Sequence, residues 1–135
     1  MLLSQTSRYA LRAATLLAEL DESDPPMTAA ELAEVLGIPR NYLSKTLHQL
    51  ARRGILTSER GPSGGFRLAA PPGMIRLAEV IDPVDPSLRE RECLLGREIC
   101  SDAAPCAAHH RWREVGDVVE RFLGETTLED LIRGR

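Results

Sequence analysis

The chain has 135 residues, with 17 basic and 20 acidic side chains, a formal net charge of −3 and 43% hydrophobic residues. This suits one compact soluble domain with an appended element, and no global basicity marks it as a binder of nucleic acid. No segment reaches the roughly 18 apolar residues that a membrane span needs. The short apolar run at positions 13–17 lacks the positive region that precedes the core of a secretion signal. A cytoplasmic protein without a membrane partner is expected.

The charge is unevenly spread. Between positions 40 and 67 stand Arg40, Lys45, Arg52, Arg53, Arg60 and Arg67 against Glu59 alone, a local +5 that leaves −8 for the rest of the chain. A basic block in an acidic protein suits a surface that meets a polyanion, and from charge alone a solvated face reads equally well.

In chain order, positions 4–20 read as a first helix, with Tyr9, Ala13, Leu16, Leu17 and Leu20 at helical spacing. Positions 21–26 are polar and proline-bearing, hence a loop. Thr28-Ala-Ala-Glu31 has the capping-box pattern, and Leu32, Val35 and Leu36 then give a short second helix. Gly37 and Pro39 end it, because glycine tolerates a left-handed turn and proline cannot continue a helix. A third helix is predicted over about 40–53. Leu43, Leu47 and Leu50 face inward, while Arg40, Asn41, Ser44, Lys45, His48 and Arg52 fall largely on the other side. Two short helices across a tight glycine turn make a helix-turn-helix. The outward side of the second one, rich in donors and nearly free of acid, suits a major groove.

Positions 55–58 and 66–68 read as strands around the turn Arg60-Gly-Pro-Ser-Gly-Gly65. A hairpin directly after a helix-turn-helix is the wing of a winged helix. The expected DNA contacts are Arg40, Asn41, Tyr42, Ser44, Lys45 and His48 in the groove. Arg60, Gly61, Ser63, Gly64 and Gly65 are expected along the backbone or minor groove, where glycine lets the main chain come close. Arg53 reads instead as charge complementing a helix C-terminus.

Positions 77–81 give a short helix, 82–86 break it, and 87–105 look irregular. A long helix is expected from Cys106 to Leu123, with Trp112, Val115, Val118, Val119, Phe122 and Leu123 as a wide apolar stripe. A last short helix falls at 127–132. The fold class is mainly α with a small β-hairpin wing: a winged helix-turn-helix over 1–82, a loop over 83–106, and a dimerisation helix with a short C-terminal helix over 107–135. So small a domain cannot cover the whole stripe. A symmetric homodimer would, and it would set two recognition helices on a pseudo-palindromic double-stranded operator. Packing on the chain's own first helix is the simpler alternative.

The three cysteines, Cys93, Cys100 and Cys106, lie in one stretch. An odd number without a secretion signal argues against a disulfide framework and for a shared ligand or redox role. Thiolates suit iron in clusters, zinc or copper(I), and three Cys with one His also make a tetrahedral zinc site. The spacings Cys93-x6-Cys100 and Cys100-x5-Cys106 exceed the usual zinc pattern. Thiol redox sensing stays open beside both metals. His109 and His110 both return to the face of Cys106, so spacing does not choose between them. No nucleophile–base pair, phosphate loop or convergent carboxylate pair points to an enzyme.

Several stretches together resemble the IscR-type regulators of the bacterial Rrf family. They are Arg8-Tyr9-Ala10, Tyr42-Leu43, the Arg60–Gly65 turn, Ile81-Asp-Pro-Val-Asp85, the three-cysteine loop and Thr127-Leu-Glu-Asp-Leu131. The resemblance covers nearly the whole chain. It implies a homodimeric DNA-binding regulator whose iron–sulphur cluster reports cluster status, oxidative stress or nitric oxide. It implies Cys93, Cys100, Cys106 and His109 as ligands of a 2Fe–2S cluster, with 4Fe–4S as the alternative nuclearity, and it ranks zinc below both. The nitric-oxide-sensing branch takes an acid near the N-terminus as fourth ligand, and this chain has Arg8 there. The first cysteine gap is one residue longer than the IscR pattern. A winged helix that mediates protein contacts is the rival function, and the basic block at 40–67 speaks against it.

Overall fold

The computed structural model describes residues 3–86, 94–95, 103 and 105–133. Helix α1 (Gln5–Ala18) starts on Ser4, whose hydroxyl accepts from the Ser7 N–H. Its buried face is Ser7, Ala10, Ala13, Ala14, Leu17 and Ala18. Small side chains let neighbours approach the helix axis closely, and α1 accordingly packs against the next three α-helices, the last α-helix and the second strand of the wing. The expected stripe through Tyr9, Leu16 and Leu20 is rotated: those residues are only partly buried at the margin of the core.

Helix α2 (Ala29–Leu36) carries the full capping box, Thr28 with Glu31, and ends at Gly37 with φ 66° in the left-handed region. Helix α3 (Arg40–Arg52) follows directly, burying Leu43, Thr46, Leu47 and Leu50. Strands β1 (Leu56–Glu59) and β2 (Gly65–Leu68) pair antiparallel, with Leu56 opposite Leu68 and Glu59 opposite Gly65. Met27 adds a bridge to Phe66, joining the wing to the entrance of α2. A single 3-10 turn (Pro72–Met74) leads to α4 (Leu77–Ile81).

The long helix α5 runs His109–Glu125, three residues later than the sequence predicts. The His109 N–H bonds the Cys106 carbonyl at 3.1 Å, a one-turn contact, and Trp112 to Ala108 at 2.8 Å is the first bond of α type. Cys106 therefore sits in the turn that leads into the helix. Helix α6 (Leu128–Arg133) returns to pack on α1 and the 3-10 turn. Arg76 and Thr127 form an isolated bridge. The Arg76 guanidinium donates to the carbonyls of Gly124 at 3.1 Å and Glu125 at 3.4 Å, closing the C-terminal end of α5. The core thus runs from Ala10 and Leu32 through Leu47 and Val80 to Leu123 and Leu128, all buried. No described helix is long and apolar enough to cross a membrane.

Candidate nucleic-acid interface and metal-ligand turn

Helix α3 holds its polar face outward because Leu43, Leu47 and Leu50, at spacings of four and three, take the inner side. Arg40, Asn41 and Lys45 are exposed, as is His48, and Ser44 is half-buried between them. Positions 40, 41, 44, 45 and 48 fall on one stripe of the helix, and α3 contains no acidic residue. Two of the expected groove residues are engaged inside the chain. The Tyr42 hydroxyl shares a 2.9 Å hydrogen bond with Thr6 Oγ1, and its ring meets Tyr9 edge-on at 5.6 Å. The His48 ring stands edge-on to Phe66 of β2 at 5.5 Å, a contact between recognition helix and wing.

In the wing, Arg60, Gly61 and Ser63 are exposed at the tip, while Gly64 is buried. The turn closes through the Gly64 N–H to the Gly61 carbonyl at 3.0 Å. Both later glycines have an internal reason to be glycine. A Cβ on Gly64 would run into the Glu59 carbonyl, and one on Gly65, at φ 149°, would lie 2.6 Å from the Met27 carbonyl. Arg67, counted in the basic block, faces inward instead: its guanidinium donates to the carbonyls of Asp21 and Asp24 and ties the loop before α2 to the wing. The outward positive charge beside α3 is thus carried by Arg40, Lys45, Arg52, Arg53 and Arg60, all exposed.

Cys93 and Cys100 lie outside the described residues. Cys106 is a half-buried free thiol one turn before His109. His109 is 3% exposed, His110 is exposed, and their rings meet edge-on at 5.2 Å. The two adjacent histidines, equivalent by spacing, differ sharply in environment. Among the described residues no group of three or more His, Cys, Asp or Glu is gathered as a metal site. The donor chemistry does fit a soft metal: one thiol and one inward imidazole share a turn, and two further thiols belong to the sequence just before it.

On α5, Leu123 is buried and Val119 partly so, whereas Val115, Val118 and Phe122 are 42%, 60% and 55% exposed. The apolar stripe is split. One side enters the core, and the other, at spacings of three and four, stays uncovered within the protomer.

A helix-turn-helix with an acid-free outward face, flanked by a glycine-turn wing, defines a winged-helix DNA-binding regulator. The chain belongs to the Rrf2 family, whose model, described as an iron-dependent transcriptional regulator, matches residues 3–134. A chain of Aquifex aeolicus with a provisional helix-turn-helix regulator name is 39% identical over 98% of this chain and 92% of its own length. The HTH-type transcriptional regulator IscR of Xenorhabdus nematophila is 35% identical over 100% of this chain and 81% of its own. Among solved structures, CymR, the global cysteine regulator of B. subtilis, superposes with a TM-score of 0.80 at 25% identity, over 98% of this chain and 97% of that one. T. potens IscR shares the fold, with a TM-score of 0.76 at 23% identity, over 98% and 86%. These relatives are transcriptional regulators, and the chain is one as well, not an enzyme.

Proposed function

We propose that the chain is a homodimeric, sequence-specific regulator whose hold on a pseudo-palindromic operator is set by an iron–sulphur cluster on Cys93, Cys100, Cys106 and His109. The observation that carries this reading is the pairing of half-buried Cys106 with inward His109 on the turn that opens α5. That helix also bears the uncovered Val115–Val118–Phe122 stripe. Ligand turn and dimer surface thus share one rigid element, so a change at the ligands bears on the separation of two recognition helices. The IscR relatives support iron–sulphur chemistry, and the resemblance in the three-cysteine loop favours 2Fe–2S. When bound, the cluster supplies a redox- and ligand-sensitive centre. The chain's own residues hold it, orient α5 and read DNA.

On the DNA side, Arg40, Asn41, Ser44 and Lys45 enter the major groove. Arg60, Gly61 and Ser63 meet the backbone or minor groove. Gly64 and Gly65 shape the wing. Tyr42 and His48 flank the groove face while holding α3 to α1 and to the wing. By function, segment 1–82 reads DNA, 83–106 carries the three cysteine ligands, and 107–135 adds His109 and pairs the protomers, in the cytoplasm.

A second reading is supported by the fold's likeness to Staphylococcus aureus CymR, solved in an oxidized form: the three cysteines act as redox thiols without a metal. Anaerobic purification and reconstitution, with iron and acid-labile sulphide counted per chain, separates the two. The cluster reading expects both elements in comparable amounts, together with different affinities of loaded and cluster-free protein for one duplex. A metal-free protein that still responds to oxidant favours the thiol reading. Equal affinity of both forms for every duplex overturns cluster control. Within either reading Arg60→Ala weakens binding and reduces the slope of log affinity against log salt by about one. An unchanged slope removes the wing from the interface.

A further inference from the structure

The first turn of α1 is bonded in two directions. Ser4 caps the helix, accepting from the Ser7 N–H at 3.1 Å and donating its own hydroxyl proton to Ser7 Oγ at 3.0 Å. Ser7, fully buried, donates a hydrogen bond from its hydroxyl to Asp85 Oδ2 at 3.1 Å. Asp85 is in turn fixed to the end of α4 by its N–H, which bonds the Ile81 carbonyl at 2.9 Å. The neighbouring residue, Thr6, reaches the other way, to the Tyr42 hydroxyl of α3 at 2.9 Å. Gln5 Nε2 donates to the Tyr9 hydroxyl at 2.7 Å, and the Tyr9 ring stands against Tyr42. Residues 5–9 thus hold the recognition helix with one set of side chains and the turn after α4 with another.

We propose that this turn is a coupling junction: Ser7 and Thr6 are positioning residues through which Asp85 biases the seating of Tyr42, and with it Asn41 and Lys45, on DNA. The inference rests on the reading above that α3 grips the duplex, and concerns Asp85 because it lies between α4 and the stretch of sequence that carries Cys93. The physical argument is short. A wholly buried hydroxyl has no water to turn to, so losing its carboxylate acceptor forces the Ser4–Ser7 turn to repack. A helical turn is stiff, so repacking at Ser7 displaces Thr6 with it. Thr6 and Tyr42 exchange one hydrogen bond with strict distance and angle requirements, so α3 feels the displacement.

A double-mutant cycle on the full-length, anaerobically purified protein tests this. The readout is affinity for a duplex that the wild type has itself selected from a random pool. Asp85→Ala and Tyr42→Phe are each expected to weaken binding by about threefold or more, and the double variant to be no weaker than the worse single one. Thr6→Val should behave as Tyr42→Phe does. Thr6→Ser and Asp85→Asn, which keep a hydroxyl and an acceptor oxygen, should retain wild-type affinity. If Asp85→Ala does not fold, Ser7→Ala removes the donor with little change of volume and completes the same cycle. Losses that multiply in the double variant, or a folded Ser7→Ala with wild-type affinity, overturn the junction alone. A wild type that selects no duplex overturns the DNA reading along with it.

Discussion

A methyl group on Gly65 would lie 2.6 Å from the Met27 carbonyl, on a residue whose φ of 149° already disfavours any side chain. Gly65→Ala is therefore expected to lower the unfolding free energy by about 1–3 kcal/mol in a urea titration. The loss should come from the Met27–Phe66 bridge rather than from the tip of the wing. In the sequence these glycines read as room for a phosphate to approach. The structure adds that the tight fit is to the chain's own backbone, which a one-dimensional pattern cannot show because Met27 is remote along the chain. Histidine poses the opposite problem. Spacing leaves His109 and His110 equivalent, and burial separates them. With His109 as ligand, His109→Ala should sharply reduce the iron retained per chain after gel filtration, while His110→Ala keeps the wild-type amount. Equal loss in both, or none in either, would remove His109 from the ligand set.

At the scale of elements, local signals were legible and returning contacts were not. The Thr28–Glu31 box, the Gly37 stop and the leucine period of α3 each act within a few residues, and α2, α3 and the hairpin fall where those signals put them. The face of α1 was harder, because Ala10, Ala14 and Ser7 carry little hydrophobic signal yet are as fully buried as Ala13. The outward stripe of α3 could be read from period alone. That Tyr42 bonds Thr6, and Arg67 the loop before α2, could not, since both depend on which elements become neighbours. Helix α6 combines both cases. Its start is a local box, with the Thr127 N–H donating to Asp130 Oδ2 at 2.9 Å and the Asp130 N–H to Thr127 Oγ1 at 3.2 Å. Its docking through Arg76 and Leu128 is long-range. The backbone hydrogen bond from Thr127, aided by the Thr127 side chain, holds the Asp130 carboxyl below its ordinary 3.8. A folded-state value below the unfolded one contributes stability that is complete above about pH 4 and fades as pH falls through the folded-state value. Protection of the α6 amides, taken relative to each amide's intrinsic exchange rate at the same pH, should therefore fall on acidification in the wild type. Asp130→Asn should give lower protection at neutral pH with little further dependence between pH 6 and 3. A wild-type pH response surviving in that variant would assign it to another group.

For the whole molecule, the question is what covers Val115, Val118 and Phe122. Three large apolar side chains on one stripe of a helix, each more than two-fifths exposed, are unlike scattered surface residues. Among the described residues the stripe stays exposed, because the other side of α5 already delivers Leu123 to the core and its C-terminal end is closed by Arg76. A second copy of α5, as the proposed homodimer has it, would meet the same stripe with itself across a two-fold axis, as an isologous interface requires. That axis would set two α3 helices to read half-sites about 34–36 Å apart on one face of the duplex. Val118→Asp with Phe122→Asp places charge at the centre of such an interface and leaves the buried Leu123 untouched. The variant is expected to keep its helical circular dichroism and to sediment as a monomer where the wild type sediments as a dimer. Its affinity for the full operator should fall on the order of a hundredfold, because the second half-site no longer benefits from tethering. Its affinity for an isolated half-site should stay near that of one wild-type protomer. A doubly substituted protein that still sediments as a dimer would move the interface off α5, and would remove the proposed route from the ligand turn to the spacing of two recognition helices.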